Sequence, residues 1–280
     1  MDKSKKAGVI GWPVNHSRSP LIHGYWLKTY ALKGAYEAIS VSPEEADAFF
    51  KNFSKSGYCG ANITIPHKET VMAHVDHLDD AAKAIGAVNT IWMEGDKLHG
   101  SNTDWLGFLG SLDAAHPGWD RKAESALVLG AGGAARGIIY ALISRGFKQI
   151  HVANRTVERA HDMKRHFGAS VIPHALGDSN NLVGASDLIV NTTSLGMDNN
   201  PPLPLSLETA SQECLVTDIV YSPLKTPLLL RAEEHGVKSV DGLGMLLHQA
   251  APGFERWFGV APKVSDELRA LVLHDMGLGQ

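Results

Sequence analysis

Three short polar segments early in the chain carry side chains that could bind a small molecule and move a proton. They read Asn-His-Ser-Arg-Ser-Pro over residues 15–20, Asn-Ile-Thr-Ile-Pro-His-Lys over 62–68, and Ala-Val-Asn-Thr over 87–90 followed by Asn-Thr-Asp over 102–104. Each falls at a predicted strand end or strand-to-helix turn, which is where open α/β sheets bind ligands. The sequence therefore predicts a polar ligand site in this part of the chain.

Lys68 and Asp104 are candidates for acid–base chemistry. An ammonium group held beside a carboxylate and an alcohol can pass a proton while a hydride leaves the adjacent carbon. The same residue types also form surface salt bridges, which contribute little to stability. Ser17 and Ser19 have two interpretations as well, because their hydroxyl groups could bind a ligand oxygen or cap the helix predicted from residue 21. Spacing alone leaves these alternatives open.

A glycine-rich turn in the second half, Gly130-x-Gly132-x-x-Ala135, predicts a dinucleotide site. It lies between an apolar run at 126–129 and an apolar helix at 135–144. Glycines here let the chain turn tightly and let a pyrophosphate approach the helix N-terminus, whose N–H groups and dipole favour anions. The alternative is a glycine-rich turn with a purely structural role.

The residues after the next strand favour NADP over NAD. An Asp or Glu about 20 residues beyond the glycines would bind the ribose 2′-hydroxyl of NAD. This place instead reads Asn154, Arg155 and Thr156, with Arg159 one helical turn later. No carboxylate stands there to repel a 2′-phosphate, and the arginines offer planar donor groups that suit phosphate. A solvated helix start is the alternative, although cations are unfavourable at a helix N-terminus unless an anion is near.

Alternating strands and helices must position these segments, which indicates an α/β fold with largely parallel strands. In the first part, strands are predicted at 7–10, 36–41 and 61–65, helices at 21–30, 43–54 (capped by Ser42), 67–84 and 103–114, and a hairpin at 88–93 and 97–101. After a turn-rich connector at 116–119, strands are predicted at 126–129, 150–153, 170–172, 188–191 and 216–220, and helices at 135–144, 157–167 and 227–235. The tail, at 242–258 and 266–274, is predicted to be helical and to pack on the first part.

Composition excludes several classes of protein. The 280 residues include 26 Lys and Arg against 30 Asp and Glu, so there is no basic excess of the kind that nucleic-acid binding requires. No apolar run approaches the roughly 18 residues of a membrane span, and no signal peptide is evident, so we expect a cytoplasmic protein without a membrane partner. Cys59 and Cys214 are expected to be free thiols, and the 14 histidines form no metal-binding motif, so no metal is expected.

The motifs taken together resemble the shikimate dehydrogenase family, in order and across almost the whole chain. They are Asn15-His16-Ser17-x-Ser19-Pro20, Asn62-x-Thr64-x-Pro66-x-Lys68, Gly86-Ala87-x-Asn89-Thr90, Asn102-Thr103-Asp104-x-x-Gly107, the Gly130 turn, Asn154-Arg155-Thr156, Asn191-Thr192-Thr193, Asp218-x-x-Tyr221-x-Pro223 and Asp241-Gly242-x-Gly244-Met245-Leu246-x-x-Gln249-Ala250. So many ordered matches are far more specific than any one of them.

The resemblance implies a two-domain α/β enzyme with its active site in the cleft between the domains. Residues 1–105, completed by the C-terminal helices of 242–280, would form a substrate domain with a mostly parallel sheet. Residues 106–241 would form a Rossmann-type NADP domain. The implied reaction is the reversible, NADPH-dependent reduction of 3-dehydroshikimate to shikimate, in the biosynthesis of chorismate and the aromatic amino acids. The implied assembly is a monomer or homodimer.

The resemblance also implies roles for individual residues. Lys68 would exchange a proton with the ring oxygen, and Asp104 would orient it or share the proton. The substrate carboxylate would bind Ser17 and Ser19, the ring hydroxyls would contact Thr64, Asn89 and Gln249, and Tyr221 would lie beside the substrate. The cofactor-binding residues would be Gly130, Gly132, Gly133 and Ala134 at the pyrophosphate, Asn154, Arg155, Thr156 and Arg159 at the 2′-phosphate, Met245 at the nicotinamide, and Thr192 and Gly242.

Two alternatives stay open. The first is a relative that acts on quinate or aminoshikimate, although a Thr at the place of Ser19 would have favoured quinate, and NAD-using relatives carry an acid at the place of Asn154. The second is a non-catalytic NADP-binding sensor on the same fold, because a fold does not determine a function. The presence of both Lys68 and Asp104 is an argument against a sensor.

Overall fold

Residues 4–278, which this computed structural model describes, contain two six-stranded sheets with helices packed around them. The strands are β1 (Lys5–Gly11), β2 (Gly34–Ser40), β3 (Gly60–Ile63), β4 (His77–Leu78), β5 (Thr90–Glu94), β6 (Lys97–Ser101), β7 (Ser125–Leu129), β8 (Gln149–Asn154), β9 (Val171–Ala175), β10 (Leu188–Asn191), β11 (Leu215–Asp218) and β12 (Lys238–Val240). The α-helices are α1 (Ser19–Thr29), α2 (Pro43–Lys51), α3 (Asp80–Ile85), α4 (Asp104–Ala115), α5 (Gly133–Ser144), α6 (Val157–Phe167), α7 (Pro227–Glu234), α8 (Leu243–Phe258) and α9 (Asp266–Asp275). Within this part of the chain, every helix is too short or too polar to cross a lipid bilayer.

The first sheet has the strand order β2-β1-β3-β5-β6-β4. β1 runs parallel to β2 and β3, whereas β5 is antiparallel to both of its neighbours, β3 and β6. The ends of β1, β3 and β6 therefore lie at the same edge of the sheet as the beginning of β5. We call this the polar edge of the first sheet, because the segments predicted to bind a ligand follow or precede these strands.

The second sheet is entirely parallel, with the order β12-β11-β10-β7-β8-β9. The chain builds outward from β7 through β8 to β9, then returns to β10 on the other side of β7. This is the strand order of a Rossmann-type dinucleotide-binding fold, which binds its ligand where the order reverses. β7, β10 and β11 are buried at every position, as expected for parallel strands covered on both faces. The predicted α/β class is confirmed.

The chain divides into two compact units. Unit 1 comprises Met1–Asp104 and Leu247–Gln280, and unit 2 comprises Trp105–Leu246. The C-terminal helices enter unit 1 through an aromatic cluster in which Trp26 and Phe254 are fully buried. Trp26 Nε1 donates to the carbonyl of Lys263 at 2.9 Å, and Trp257 Nε1 donates to the carbonyl of Ile91 at 2.9 Å. These two hydrogen bonds satisfy the only polar atoms of two large buried side chains.

Most predicted elements are present, and Cys59 and Cys214 are free thiols as predicted. The expected helix at 67–84 is wrong. This stretch contains a 3-10 turn at Thr70–His74, the short strand β4 and α3. The side chain of Asp76 accepts the Leu98 N–H at 2.8 Å and its own N–H donates to the Leu98 carbonyl, which pairs this segment with β6 instead of continuing a helix. β12 was missing from the prediction, and the second predicted helix, α2, ends three residues earlier, at Lys51, with a 3-10 turn at Phe53–Lys55.

His23 is a fully buried histidine in the aromatic cluster of unit 1. Its ring stacks on Tyr36 with centroids 3.9 Å apart, and among the described residues neither ring nitrogen has a hydrogen-bond partner with good geometry. Burial lowers the pKa of His23 from 6.5 to about 3, and the nearby Asn62 opposes this shift only in part. His23 is therefore a neutral side chain at any ordinary pH.

We expect Gly60→Ala to lower the free energy of unfolding by about 3 kcal/mol. A Cβ at Gly60 would lie 2.1 Å from Trp257 Nε1 and 2.4 Å from the Ile91 carbonyl oxygen, so it would break the hydrogen bond between them. The matched control is Gly24→Ala in α1, where a Cβ meets nothing within 4 Å, and a gain of about 0.5 kcal/mol is expected. Urea unfolding followed by circular dichroism measures both. Equal effects would contradict the packing described here.

We also expect His23 to make folding pH-dependent. An unfolded histidine takes up a proton as the pH falls below 6.5, whereas buried His23 stays neutral until about 3. The stability that it contributes is therefore lost as the pH falls through this window. Relative to His23→Phe, the native protein should lose about 2 kcal/mol of unfolding free energy between pH 8 and pH 5. His23→Met serves the same comparison if Phe is too large, and a difference independent of pH would contradict this account.

Candidate active site

The polar edge of the first sheet brings three distant segments of the chain together. Because β5 is antiparallel to its neighbours, Thr90 pairs with Asn62 of β3 on one side and with Ser101 of β6 on the other. The loops beyond these strands are joined by backbone hydrogen bonds, from Val88 N to the Lys68 carbonyl at 2.8 Å and from Asn89 N to the Ser101 carbonyl at 3.0 Å. The positions of residues 68, 89 and 104 relative to one another are thus set by strand pairing.

Lys68 and Asp104 form a close ion pair at this edge. Lys68 Nζ donates to Asp104 Oδ2 at 2.6 Å. The side chains are 32% and 23% exposed, so the pair is neither sealed in the core nor a freely solvated surface contact. Asp104 Oδ1 accepts a second hydrogen bond from Asn89 Nδ2 at 2.7 Å. A carboxylate that accepts from both sides holds the ammonium in a fixed place, which proton transfer to a ligand requires.

Gln249 joins the same group from the C-terminal part of unit 1. Its Oε1 lies 3.5 Å from Asn89 Nδ2, and its backbone carbonyl accepts from Thr103 Oγ1 at 2.9 Å. The structure thus brings together Lys68, Asp104, Asn89 and Gln249, four of the residues predicted to act on a substrate.

Ser17, Ser19 and Thr64 lie on the loops that follow β1 and β3 at the polar edge. α1 begins at Ser19, and Ser17 Oγ accepts the Ser19 N–H at 3.3 Å, so Ser17 makes a local contact at the helix start. Ser19 is buried, and Thr64 packs so closely on Gly11 that a Cβ there would lie 2.4 Å from Thr64 Cγ2. Among the described residues, none of the three is hydrogen-bonded to Lys68 or Asp104.

Four residues at this edge belong to the hydrogen-bond network around Asn89, and this role was not predicted from the sequence. Asn62, Thr90 and Thr103 are buried and surround the Asn89 amide, while the Tyr36 hydroxyl donates to Asn62 Oδ1 at 2.6 Å. Three of these four residues stand inside the motifs quoted above, and their amide and hydroxyl groups within or just after predicted strands were the available signal.

The turn after β7 in unit 2 is shaped for a close approach of backbone to ligand. Gly130 has φ of +106°, a conformation that only glycine adopts without strain, and its N–H donates to the Ala153 carbonyl at 2.8 Å. A Cβ at Gly132 or Gly133 would meet nothing within 4 Å, so both face open space. Gly132 is the N-cap of α5 and has no side chain to satisfy the first N–H groups of the helix. Such an N-terminus suits a phosphate group.

The end of β8 adds positive charge beside this turn. Asn154 Oδ1 accepts the Ala131 N–H at 3.2 Å, and its Nδ2 donates to the Thr156 carbonyl at 2.8 Å, which ties the two loops together. Arg155 and Arg159 are exposed, and within residues 4–278 neither forms a salt bridge with a carboxylate. The loop therefore fits a ligand with an additional phosphate better than one with a free ribose hydroxyl.

The remaining predicted cofactor residues also lie in unit 2. Thr192 follows β10, and its Oγ1 donates to the carbonyl of Leu129, the last residue of β7, at 2.7 Å. Gly242 is close to the loop after β11, since a Cβ there would lie 2.4 Å from the Ile219 carbonyl oxygen. Met245, in the first turn of α8, packs against the core of the second sheet. The exposed Ala134 lies in the first turn of α5.

A buried carboxylate, Asp218, supports the loops at the carboxyl edge of the second sheet. It accepts from Asn191 Nδ2 at 3.1 Å, from Thr226 Oγ1 at 2.7 Å and from the Val220 N–H at 3.0 Å. Burial raises the pKa of Asp218, against these hydrogen bonds that favour its charged form. Because Asn191 precedes Thr192 and Val220 precedes Tyr221, Asp218 holds the segments that carry both residues. The sequence contained Asp218 as a motif residue without a role.

Comparison with known families matches three parts of the chain. Residues 9–91 match the shikimate dehydrogenase substrate binding domain, residues 114–198 match shikimate / quinate 5-dehydrogenase, and residues 242–271 match the shikimate 5′-dehydrogenase C-terminal domain. A relative from Brucella abortus (strain S19), described as shikimate dehydrogenase (NADP(+)), is 52% identical over 279 residues, which cover 99% of this chain and 96% of that protein.

Solved structures resemble the chain over nearly its whole length. A shikimate 5-dehydrogenase from Thermus thermophilus in complex with NADP(H) and shikimate is 36% identical, with a TM-score of 0.84 and coverage of 96% of this chain and 98% of that one. A quinate dehydrogenase from Corynebacterium glutamicum in complex with NAD is 28% identical, with a TM-score of 0.86 and coverage of 97% of this chain and 99% of that one. With 52% identity to a curated relative across both units, the chain belongs to the shikimate dehydrogenase family.

Proposed function

We propose that the chain is an oxidoreductase that reversibly reduces 3-dehydroshikimate to shikimate with NADPH. The observation that carries this proposal is the Lys68–Asp104 pair, 2.6 Å apart and only partly buried, beside the amides of Asn89 and Gln249. The names of the curated relatives support the same substrate and cofactor. We further propose that unit 1 is the substrate domain and unit 2 the NADP domain, with boundaries close to residues 105 and 242.

Lys68 is the proposed proton donor in the reductive direction. When bound, NADPH would supply a hydride to the ring carbon of the ketone group. The ketone oxygen takes a proton from the Lys68 ammonium, so the C=O group becomes a CH–OH group and Lys68 is left as a neutral amine. In the oxidative direction Lys68 takes this proton back. Asp104 holds the Lys68 side chain in place throughout, through the hydrogen bond from Lys68 Nζ to Asp104 Oδ2.

The other polar residues of unit 1 position the substrate in this proposal. Ser17 and Ser19 bind its carboxylate, and Thr64, Asn89 and Gln249 bind the ring hydroxyls. Tyr221 is the further residue that the family resemblance assigns to the substrate. Fixed hydrogen-bonding groups of this kind place the reacting carbon and oxygen, which is a large part of what an enzyme must supply when the cofactor carries the chemistry.

The residues of unit 2 fit NADP. Gly130, Gly132, Gly133 and Ala134 would hold the pyrophosphate at the start of α5, where no side chain caps the helix. The 2′-phosphate would lie on Asn154, Arg155, Thr156 and Arg159, while Thr192, Gly242 and Met245 would line the rest of the cofactor. A small molecule is thus the expected partner, and a cytoplasmic location and a monomeric or homodimeric state stay predictions.

A quinate or aminoshikimate dehydrogenase is the second candidate, favoured by the similarity to a quinate dehydrogenase. The test is the initial rate of nicotinamide reduction with shikimate and with quinate, each against NADP⁺ and NAD⁺. Turnover mainly with shikimate and NADP⁺ supports the proposal. Turnover only with quinate or only with NAD⁺ would contradict the proposed specificity, and no turnover with retained NADP⁺ binding would favour a sensor.

We expect Lys68→Ala to lower kcat for shikimate oxidation by about 1,000-fold, because the proton acceptor is lost. The dissociation constant for NADP⁺, measured by fluorescence titration, should stay within twofold, since Lys68 is in unit 1. Lys83→Ala is the matched control, because Lys83 is an exposed lysine of unit 1 that forms an i,i+3 pair with Asp80. Retention of more than a tenth of the native kcat in Lys68→Ala would refute the assigned role.

We expect Arg155→Ala to raise the dissociation constant for NADP⁺ by about 30-fold and to leave that for NAD⁺ unchanged, because only NADP⁺ carries the 2′-phosphate. Arg165→Ala is the matched control, since Arg165 is an exposed arginine at the other end of α6, paired with Asp162. Isothermal titration calorimetry measures both cofactors. An equal loss of affinity for NADP⁺ and NAD⁺ would show that Arg155 does not recognise the phosphate.

A further inference from the structure

The Asn89 amide is held in one orientation by groups that cannot change roles. Its Oδ1 lies 2.7 Å from the backbone N–H of Thr103, which can only donate. The oxygen end of the amide therefore faces Thr103, and the Nδ2 end must face Asp104 Oδ1 at 2.7 Å. A flipped amide would set two donors against each other on one side and two acceptors on the other.

The Asn62 amide is fixed in the same way. Its Nδ2 faces the backbone carbonyl of Asn89 at 3.3 Å, and this carbonyl can only accept. Nδ2 also donates to Thr90 Oγ1 at 3.2 Å, which leaves the Thr90 proton to be donated toward the oxygens beyond it. Both amides are thus assigned by contacts with the main chain, and the Thr90 hydroxyl is assigned through the Asn62 amide.

The Thr103 hydroxyl is the link between this amide pair and α8. The hydroxyl lies within donating distance of the Gln249 carbonyl, at 2.9 Å, and of Asn89 Oδ1, at 3.1 Å. Its oxygen lies 3.2 Å from Thr90 Oγ1. Thr103 therefore contacts Asn89 through both its main chain and its hydroxyl, and it contacts Gln249 through the same hydroxyl. It also precedes Asp104 in the sequence.

We propose that Thr103 is a positioning residue, one that fixes the Asn89 amide and the α8 segment carrying Gln249 in the arrangement that binds substrate. Thr103 is only 3% exposed, so it acts through these neighbours and not by touching the substrate. This inference rests on the proposed function, because it assigns Asn89 and Gln249 to the ring hydroxyls. Loss of the hydroxyl should then weaken substrate binding specifically.

The test is the kinetics of Thr103→Val, which has nearly the shape of threonine but no hydroxyl. We expect KM for shikimate to rise about tenfold, while KM for NADP⁺ stays within twofold. Thr103→Ser restores the hydroxyl and should bring KM for shikimate back to within threefold of the native value. Calorimetric titration of shikimate into the protein without cofactor should show the same order of affinities.

The matched control is Thr217→Val, which changes a buried threonine of β11 in unit 2. It should leave KM for shikimate unchanged. A purely structural role for Thr103 would lower the melting temperature or the active fraction, and hence kcat, without changing KM for shikimate. That result, or failure of Thr103→Ser to restore KM, would overturn the inference.

Two further outcomes separate this inference from the proposed function. If the native protein neither binds nor oxidises shikimate, the proposed function fails, and this inference fails with it. If the native protein oxidises shikimate but Thr103→Val has the native KM, the inference alone fails. Should Thr103→Val not fold, Thr103→Ala removes the same hydroxyl without adding a methyl group at its place and is judged by the same KM values.

Discussion

The hydrogen bonds of the Asn89 amide connect the buried interior of unit 1 with a partly exposed ion pair, and a catalytic site needs both. On one side its oxygen accepts from Thr103, in the buried interior of unit 1. On the other side its nitrogen donates to Asp104, whose partner Lys68 is about one-third exposed. A buried polar group without a partner costs about 1–3 kcal/mol, so each member of this network requires the next one. The buried hydrogen bonds around Asn89 therefore fix the position of the partly exposed Lys68–Asp104 pair.

The strand order of the first sheet is what makes this arrangement possible. A fully parallel sheet would place the beginning of β5 at the opposite edge from the ends of β3 and β6. The antiparallel direction of β5 places it beside them, so that Asn62, Thr90 and Ser101 are neighbours across three strands. Residues that lie far apart in the chain, such as Lys68 and Asp104 at a separation of 36 positions, meet for this reason. In unit 2, distant residues are brought together by the reversal of strand order at β7 and β10, where Thr192 contacts the end of β7.

The features of unit 2 that fit a dinucleotide are in part features left without a partner. The N-cap of α5 is a glycine, and its first turn contains no acidic residue. Asp218 shows the opposite case, because its carboxylate is buried and accepts hydrogen bonds from Asn191, Val220 and Thr226. The start of α5 therefore suits an anion that the protein does not itself supply, whereas the Asp218 carboxylate fixes loops of unit 2.

The sequence by itself determined the elements whose local signals are strong. Apolar runs predicted the buried strands β7, β10 and β11, and the Gly130 turn predicted a helix close to the start of α5. The ordered motifs predicted the family. Only the tertiary structure decided that residues 67–84 are not one helix, because Asp76 bonds to Leu98 of a distant strand. It also decided the roles of Asn62, Thr90 and Thr103, since the direction of each hydrogen bond depends on which backbone groups face it. Local patterns follow from neighbours in the chain, whereas these roles follow from neighbours in space that strand pairing supplies.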